Sequence, residues 1–529
     1  MKKLTKTDFI LYRDCPNNVW VKWHRPEEYA KFEQSEFEKS LAVMGNEVEE
    51  LARGMFPGGY LIEKRSDGAQ ELTRQLIAAR TPVIFQAVFS TDQYLAATDV
   101  LKWNPETNRY DIYEIKMSSA EAEDAEDDDG KPKPVNRKRE EQYEYDLAFQ
   151  VNVAALCGVT LGKKYLVRLS RSYVRDGELD FAKLFELTDK TAAVDGVLEL
   201  VLEDMGAAHR YLSADAAPEG RCPCYDTRGR SAHCTTFSVS NPGVPEYSVH
   251  DLNRIGASKR YLKELIDEGV LEVGDVPEDD RLSPKEAKVG EEPKKPRRLN
   301  QVRVHKTQRP IEDIEAIRAE LGRLRYPLYF LDYETYPTAI PPWSGYRPYQ
   351  HIVFQYSLHV VRSRDAQPEH HECLVLDGDP AQRIAESLRE NIGDTGTVVS
   401  WFKHFENARN RELAKLVPAQ AEFLNGLADR TYDLMDIVDK QHYVHPGFRG
   451  SASIKKVQPV LAPGFAYKEL GVKSGTDAIE AYRQMTTGAL TGAAADEKRR
   501  QMLRYCQYDT AVMYEIWKFF TELTEQHGA

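Results

Sequence analysis

The sequence predicts an α/β protein of two domains joined by a helical linker, and three observations carry that expectation. Apolar strand-like runs alternate with helically spaced segments over the first 240 residues. Polar, proline-bearing sequence with short helical stretches follows, and strand patterns return at about 326 before the chain ends in helices. The expected bounds are 1–240, 241–325 and 326–529. A length of 529 residues agrees, being too great for one core at about 100–200 residues per domain.

In the first part MGNEVEELARGMF (44–56) has helical spacing, VIFQAVF, YLAATDVL and YDIYEIK read as three strands, YEYDLAFQVNVAALCG reads as a second long helix, and KKYLVRLSRSYV reads as a further strand. Helix, three strands, helix, strand implies a mixed sheet flanked by helices. SVHDLNRIGASKRYLKELIDEGVLEVGDV suggests short helices around a glycine-containing turn, and KEAKVGEEPKKPRRLNQ reads as a linker. PLYFLDYE, HIVFQYSLHVV, HHECLVL and TVVSWF are the strands of the last part, which closes in a helix from about EKRRQML to FFTELT. The chain carries no internal repeat.

Hydrophobic residues make up 41% and aromatics 10%, ample for packed domains. No apolar run approaches the roughly 20 residues that span a bilayer. MKKLTKTDF lacks the apolar segment that follows the charges of a signal peptide, so a cytoplasmic location without membrane association is expected. The formal charge of −13 disfavours indiscriminate polyanion binding, although enzymes that handle nucleic acid through metal ions can be acidic overall. Part of the excess is local, in AEAEDAEDDDG (120–130), which reads as a solvated loop followed by the basic KPKPVNRKR. Seven cysteines do not suggest a disulfide scaffold.

Glu114 and Lys116 lie two apart on a strand and project from one face. Asp99, on the preceding strand, reaches the same point if WNPETNR turns a hairpin. Such a carboxylate pair can hold Mg²⁺ or Mn²⁺, with the lysine beside it stabilising charge or positioning water. Alone, E-x-K would be an exposed charged face. In this order, with helices before and after, the segment resembles the RecB-like branch of the PD-(D/E)XK nucleases, to which the CRISPR-associated iron–sulfur exonucleases belong. The resemblance implies a restriction-endonuclease-like mixed sheet and a catalytic set of Glu49, Asp99, Glu114, Lys116 and Gln150, with Asp99 and Glu114 on the metal. Two positions depart from the pattern: Glu49 stands where many relatives have histidine, and Ala154 where a tyrosine often follows the glutamine.

Cys222-Pro-Cys224 with Cys234 forms a plausible three-ligand loop, to which Cys15 could add a fourth thiolate. This one-plus-three layout resembles the [4Fe–4S] staple of the RecB-like iron–sulfur nucleases, with a wider gap after the second cysteine. Zn²⁺ on four thiolates, or on three with His233, is the alternative.

FLDYETY (330–336) places Asp332 and Glu334 on one face of an otherwise apolar strand, where uncompensated charge is costly. An acidic D-x-E on a first strand resembles the DEDD 3′ exonucleases of the RNase H-like fold. That resemblance implies Glu406, where most relatives have Asp, and Asp509 as further ligands of Mg²⁺ or Mn²⁺. It also implies Tyr505, one helical turn before Asp509, as the residue orienting the attacking water. Without metal, mutual repulsion should raise the pKa of Asp332 or Glu334. Asp433 and Asp436 are further carboxylates near the pocket, Asp436 expected to cap or orient. In GFRGSASIKKVQP (447–459) a helix start with Ser451, Ser453, Lys455 and Lys456 suits a phosphate, or the serines simply cap the helix.

PLYFLDYET, FQYSLH, GSASIKKV and YCQYDT together resemble, over nearly the whole chain, an uncharacterised bacterial family of predicted RecB-like nucleases fused to an RNase H-like exonuclease. The expectation is a metal-dependent nuclease acting on DNA through two sites, the second a 3′→5′ exonuclease, in DNA repair or in defence against foreign DNA. RNA as substrate, or an end-binding scaffold with one degenerate site, are the alternatives.

Overall fold

The computed structural model describes residues 2–32, 36–63, 68–119, 136–214, 216, 218, 221–282, 296–465, 471–472 and 474–527. The acidic run 120–130 and most of the expected linker's polar stretch lie outside them. The chain forms two compact units, the first comprising 1–225, 234–242 and 338–350, the second 226–233, 243–337 and 351–529. Residues 243–325 therefore belong to the second unit. They are held there by specific bonds: Arg297 pairs with Asp439, and Gln301 donates to the Arg449 carbonyl at 3.2 Å.

The first unit is built on a mixed sheet of β1 (Leu4–Thr5), β2 (Tyr60–Leu61), β3 (Val83–Ser90), β4 (Tyr94–Asn104), β5 (Arg109–Ser119), β6 (Lys164–Leu169) and β7 (Phe185–Asp189). Strands run in the order β2-β3-β4-β5-β6-β7, with β1 parallel to the start of β4. The hairpin β4–β5 is antiparallel, and β5–β6 is parallel because a helix crosses between them. The helices that matter for the sites are α1 (Lys6–Asp14), α2 (Pro16–His24), α3 (Glu36–Ala52), α4 (Ala69–Ala78), α5 (Arg137–Leu156) and α6 (Leu198–Ser213). The apolar second half of α5 is buried from Tyr145 to Ala154, its Phe149 ring stacked on Phe9 of α1 at 5.3 Å. Burying side chains of this size contributes about 1.5–3 kcal/mol each. Asn136 caps α5 by accepting from the Arg139 amide at 3.2 Å.

In the second unit β8 (Ile311–Glu312) pairs with β14 (Tyr443–Val444). The main sheet holds β9 (Leu328–Pro337), β10 (His351–Val361), β11 (Glu369–Leu374), β12 (Thr397–Ser400) and β13 (Thr431–Asp433) in the order β11-β10-β9-β12-β13. The first three are antiparallel and the last two parallel to β9, the mixed α/β arrangement expected for this half. Its helices include α7 (Lys259–Asp267), α8 (Arg297–Thr307), α9 (Ala381–Asn391), α10 (Lys403–Leu416), α11 (Ile454–Leu461), α12 (Gly475–Thr486) and the 35-residue α13 (Gly492–Gln526). Phe330 on β9 packs against Tyr514 and Trp517 of α13, which fixes that helix across the sheet. Among the described residues no helix is long and apolar enough to cross a membrane.

Gly396 sets the entry to β12. Its φ is +95°, and a Cβ there would lie 2.2 Å from the Pro327 carbonyl oxygen. Gly396→Ala should therefore destabilise the second unit by more than about 1 kcal/mol, read from its urea midpoint. Gly426→Ala, within the helix Ala421–Asp429 and with nothing within 4 Å of the added carbon, should leave that midpoint unchanged or raise it.

Candidate metal centres

Each half of the chain brings acids together where a β-ladder is irregular. In the first unit β3 pairs with β4 on either side of Gln86 and Asp99, but that pair itself is missing, and Gln86 adopts φ +58°. Left-handed backbone in a non-glycine strand residue persists only where its surroundings hold it. Here the Gln86 amide donates to Glu49 and lies 3.5 Å from Asp99 Oδ1. Gln86 is a site residue that the sequence reading missed; the signal was a single amide inside VIFQAVF.

Asp99 accepts from the Ile115 amide at 2.8 Å, which joins it to the strand carrying Glu114. Glu114 is held from three sides: Lys6 Nζ at 2.5 Å and Lys116 Nζ at 2.8 Å on Oε1, and Gln150 Nε2 at 2.7 Å on Oε2. Lys116 also bonds Asp146, one turn before Gln150 on α5. Burial works against ionising Glu114, yet Lys116 and Lys6 hold its carboxyl well below the usual range. Asp99 goes the other way, pushed up to about 7 by burial, then by the charge of Glu114. Glu49 pairs with Arg53 at 2.8 Å. All five expected residues thus meet in one network, with Lys6, Gln86 and Asp146 added. Lys6 left no mark in the sequence, since nothing in MKKLTKTDF signals a contact 108 residues away.

Cys15 sits between α1 and α2, and Cys222, Cys224 and Cys234 come to it from the far end of the unit. All four are buried free thiols whose sulfurs lie within 4.8 Å of one another. Asn241 Nδ2 lies 3.0 Å from Cys222 Sγ. Hydrogen bonding among the four divides them: contact with Cys15 holds the Cys222 and Cys224 thiols down, the latter to about 6, while Cys15 and Cys234 are pushed up. His233 is not among the four donors; its ring meets the Arg228 carbonyl at 3.2 Å. An all-sulfur set of four suits a structural metal.

In the second unit Asp332 and Glu334 share one face of β9. Ser357 stands opposite Asp332 and Gln355 opposite Glu334, with a bulge at Phe354 shifting the register between Gln355 and Val353. Bulges re-aim side chains beside functional sites. Glu406 arrives from the first turn of α10, which starts directly after β12. Asp433 builds that start: its Oδ1 accepts from the Phe402 amide and its Oδ2 from the Lys403 amide, each at 2.9 Å. Phe402, at φ +76° and half exposed, is held by these bonds. Capping thus falls to Asp433, whereas Asp436 pairs with Lys440 at 2.9 Å.

From α13, Asp509 acts on Asp332 and Glu334 by charge, and Cys506 places its sulfur 3.9 Å from Asp332 Oδ2. Tyr505 packs among Phe354, Tyr482 and Met502. Burial first, then Asp509, raises Asp332 well above the carboxylate range; burial, then Asp332, does the same to Glu334 and to Glu406. The expected repulsion is present, with loss of water the larger cause. None of Asp332, Glu334 and Glu406 forms an ion pair among the described residues, and Glu406 Oε2 is buried without a hydrogen-bond partner. Lys455 offsets part of the charge on Glu334. Ser453 precedes α11 without a side-chain cap bond, while Ser451 Oγ accepts from its amide at 3.1 Å. Gly475, opening α12, lies beside Glu334, where a Cβ would meet Oε2 at an ordinary contact of 3.6 Å.

A family model described as "Domain of unknown function (DUF2779)" matches residues 329–453. The match begins on β9 and ends before α11, so it includes Asp332, Glu334 and Glu406 and leaves out Asp509. It covers under a quarter of the chain, whereas the sequence resemblance was expected over nearly all of it. No curated protein and no solved structure matches the chain.

The raised carboxyls give a pH dependence with a definite sign. A group whose folded pKa lies above its unfolded value contributes stability in acid that is lost as pH rises through the folded pKa. Chelator-treated protein should therefore lose thermal stability in the second unit as pH rises from about 4, the ordinary carboxylate value, towards neutrality. Mn²⁺ should restore it at pH 7, read as the shift in melting temperature.

Proposed function

We propose that the chain is a metal-dependent nuclease in which the second unit hydrolyses phosphodiester bonds as a 3′→5′ exonuclease on DNA. The observation that carries the reading is the gathering of carboxylates about β9, of which Glu334 and Glu406 are buried. Asp332 and Asp509 repel each other and both repel Glu334, Asp332 repels Glu406, and Glu406 leaves an oxygen unpartnered. Such a set fits a hard divalent cation, Mg²⁺ or Mn²⁺, which these four residues would hold. When bound, the ion would activate water and neutralise the leaving oxygen.

The chain's own groups do the rest. Lys455 lies close enough to act on Glu334, and the start of α11 with Ser451 and Ser453 offers donors to a phosphate. Tyr505, by resemblance, orients the attacking water, and packing of its ring against Tyr482 and Met502 would fix that direction. Asp433 keeps Glu406 in place through the first amides of α10.

For the first unit the RecB-like reading is that Glu49, Asp99, Glu114, Lys116 and Gln150 form a second hydrolytic centre, stapled by the four cysteines around a [4Fe–4S] cluster, with Zn²⁺ as the alternative occupant. One observation favours another role there. Lys6 and Lys116 already neutralise Glu114, so the centre also suits binding of a nucleic-acid end without hydrolysis.

End-labelled single- and double-stranded DNA and RNA, incubated with Mg²⁺ or Mn²⁺, separate these readings. Asp332→Asn should lower 3′→5′ degradation by about 10²- to 10³-fold, the scale of one lost electrostatic contribution at a reacting centre. Glu114→Gln should remove a second activity if the first centre is hydrolytic, and only weaken end binding if it is not. Equal degradation by wild type and Asp332→Asn would refute the exonuclease assignment. Anaerobic purification should yield iron and sulfide that are lost together in Cys222→Ser; a colourless protein with stoichiometric zinc would assign Zn²⁺ instead.

A further inference from the structure

The donors gathered most closely in the second centre are not four carboxylates. Asp332, Glu334 and Cys506 each offer an atom within 4.8 Å of the other two, and the Cys506 thiol is fully buried on the inner face of α13. Its sulfur lies 3.9 Å from Asp332 Oδ2 and 4.0 Å from the Asp332 carbonyl oxygen. Glu406, 3% exposed and with Oε2 unpartnered, stands outside this close group, and Asp332 is the strongest charge acting on it.

We propose that this centre has a sulfur arm, and that Asp332, Glu334 and Cys506 capture a thiophilic divalent ion such as Zn²⁺ or Co²⁺ in competition with Mg²⁺ and Mn²⁺. The inference rests on the reading of this centre as a metal site and adds which ions it selects. Carboxylate oxygens suit Mg²⁺ and Mn²⁺, whereas thiolate selects softer ions. Around a tetrahedral zinc, with bonds of about 2.0–2.3 Å, donors stand roughly 3.5 Å apart, so the three present need draw together by only about 1 Å. Binding forms a metal–sulfur bond and breaks the Cys506 S–H bond. That proton passes to solvent, together with those the carboxyls of Asp332 and Glu334 release on ligating the ion.

The test uses full-length protein and Co²⁺ alone as the probe, because a cobalt–thiolate bond absorbs in the near ultraviolet and a cobalt–carboxylate bond does not. The cysteine cluster contributes equally to every variant and cancels in difference spectra. Wild type minus Cys506→Ser should show the charge-transfer band of one ion. Asp332→Asn should lose the same band although its thiol is intact, which keeps the test decisive if Cys506→Ser fails to fold. Zn²⁺ should bleach the band and excess Mg²⁺ should not.

Identical cobalt spectra for wild type and a folded Cys506→Ser would overturn the sulfur arm. A full band in Asp332→Asn would do the same. Mn²⁺ calorimetry separates this failure from that of the underlying reading. If Asp332→Asn binds Mn²⁺ as wild type does, the metal site and the inference both fall. If Asp332→Asn loses part of the wild-type Mn²⁺ stoichiometry but Cys506→Ser leaves the cobalt spectrum unchanged, the metal site stands and the sulfur arm falls. A Cys506-dependent band in a protein that degrades no nucleic acid would sustain the arm and remove the nuclease.

Discussion

A carboxylate taken out of water must be matched by positive charge or keep its proton, and the two units meet that requirement in opposite ways. Glu114 is matched inside the protein, by two lysines and an amide, and the lysines hold its carboxyl well below the usual range. Asp332, Glu334 and Glu406 form no ion pair among the described residues, and burial with mutual repulsion raises all three carboxyls. In the first centre the balance holds for Glu114 and stops short of Asp99, which burial and the charge of Glu114 push up. The second is an electrostatic deficit, and a deficit of this kind persists in a folded domain only where something external fills it or the surrounding packing sustains the cost.

Both centres depend on local departures from regular strand geometry. Gln86 breaks the β3–β4 ladder opposite Asp99, and the Phe354 bulge breaks the β9–β10 ladder beside Glu334. A regular ladder would pair these positions and turn alternate side chains to opposite faces without exception. The irregularities trade backbone bonds for side-chain direction. Asp433 plays the matching part for Glu406, clamping a left-handed Phe402 so that a helix begins at once after β12.

The architecture was legible in the sequence where periodicity was strong. HIVFQYSLHVV is β10 to the residue, and D-x-E spacing placed Asp332 and Glu334 on one face. The cysteine group was legible because thiols at such spacing have few other uses, and the four do meet. What sequence did not reveal depends on contacts remote in the chain. Lys6 reaches Glu114 across 108 residues, and the role of Asp433 rests on a turn geometry at Phe402 that no local propensity encodes. Residues 243–325 looked like a connector because their helices are short and polar. Their bonds to Asp439, Arg449 and Gly450 show that polarity at those positions serves packing within the second unit.

The placement of Cys15 has a mechanical side. It closes α1 at one end, while Lys6 opens the same helix at the other. Nine residues of α-helix form a rod of about 13 Å that neither stretches nor bends appreciably. The sulfur group and the Glu114 network thus take one residue each from the two ends of a single rigid rod.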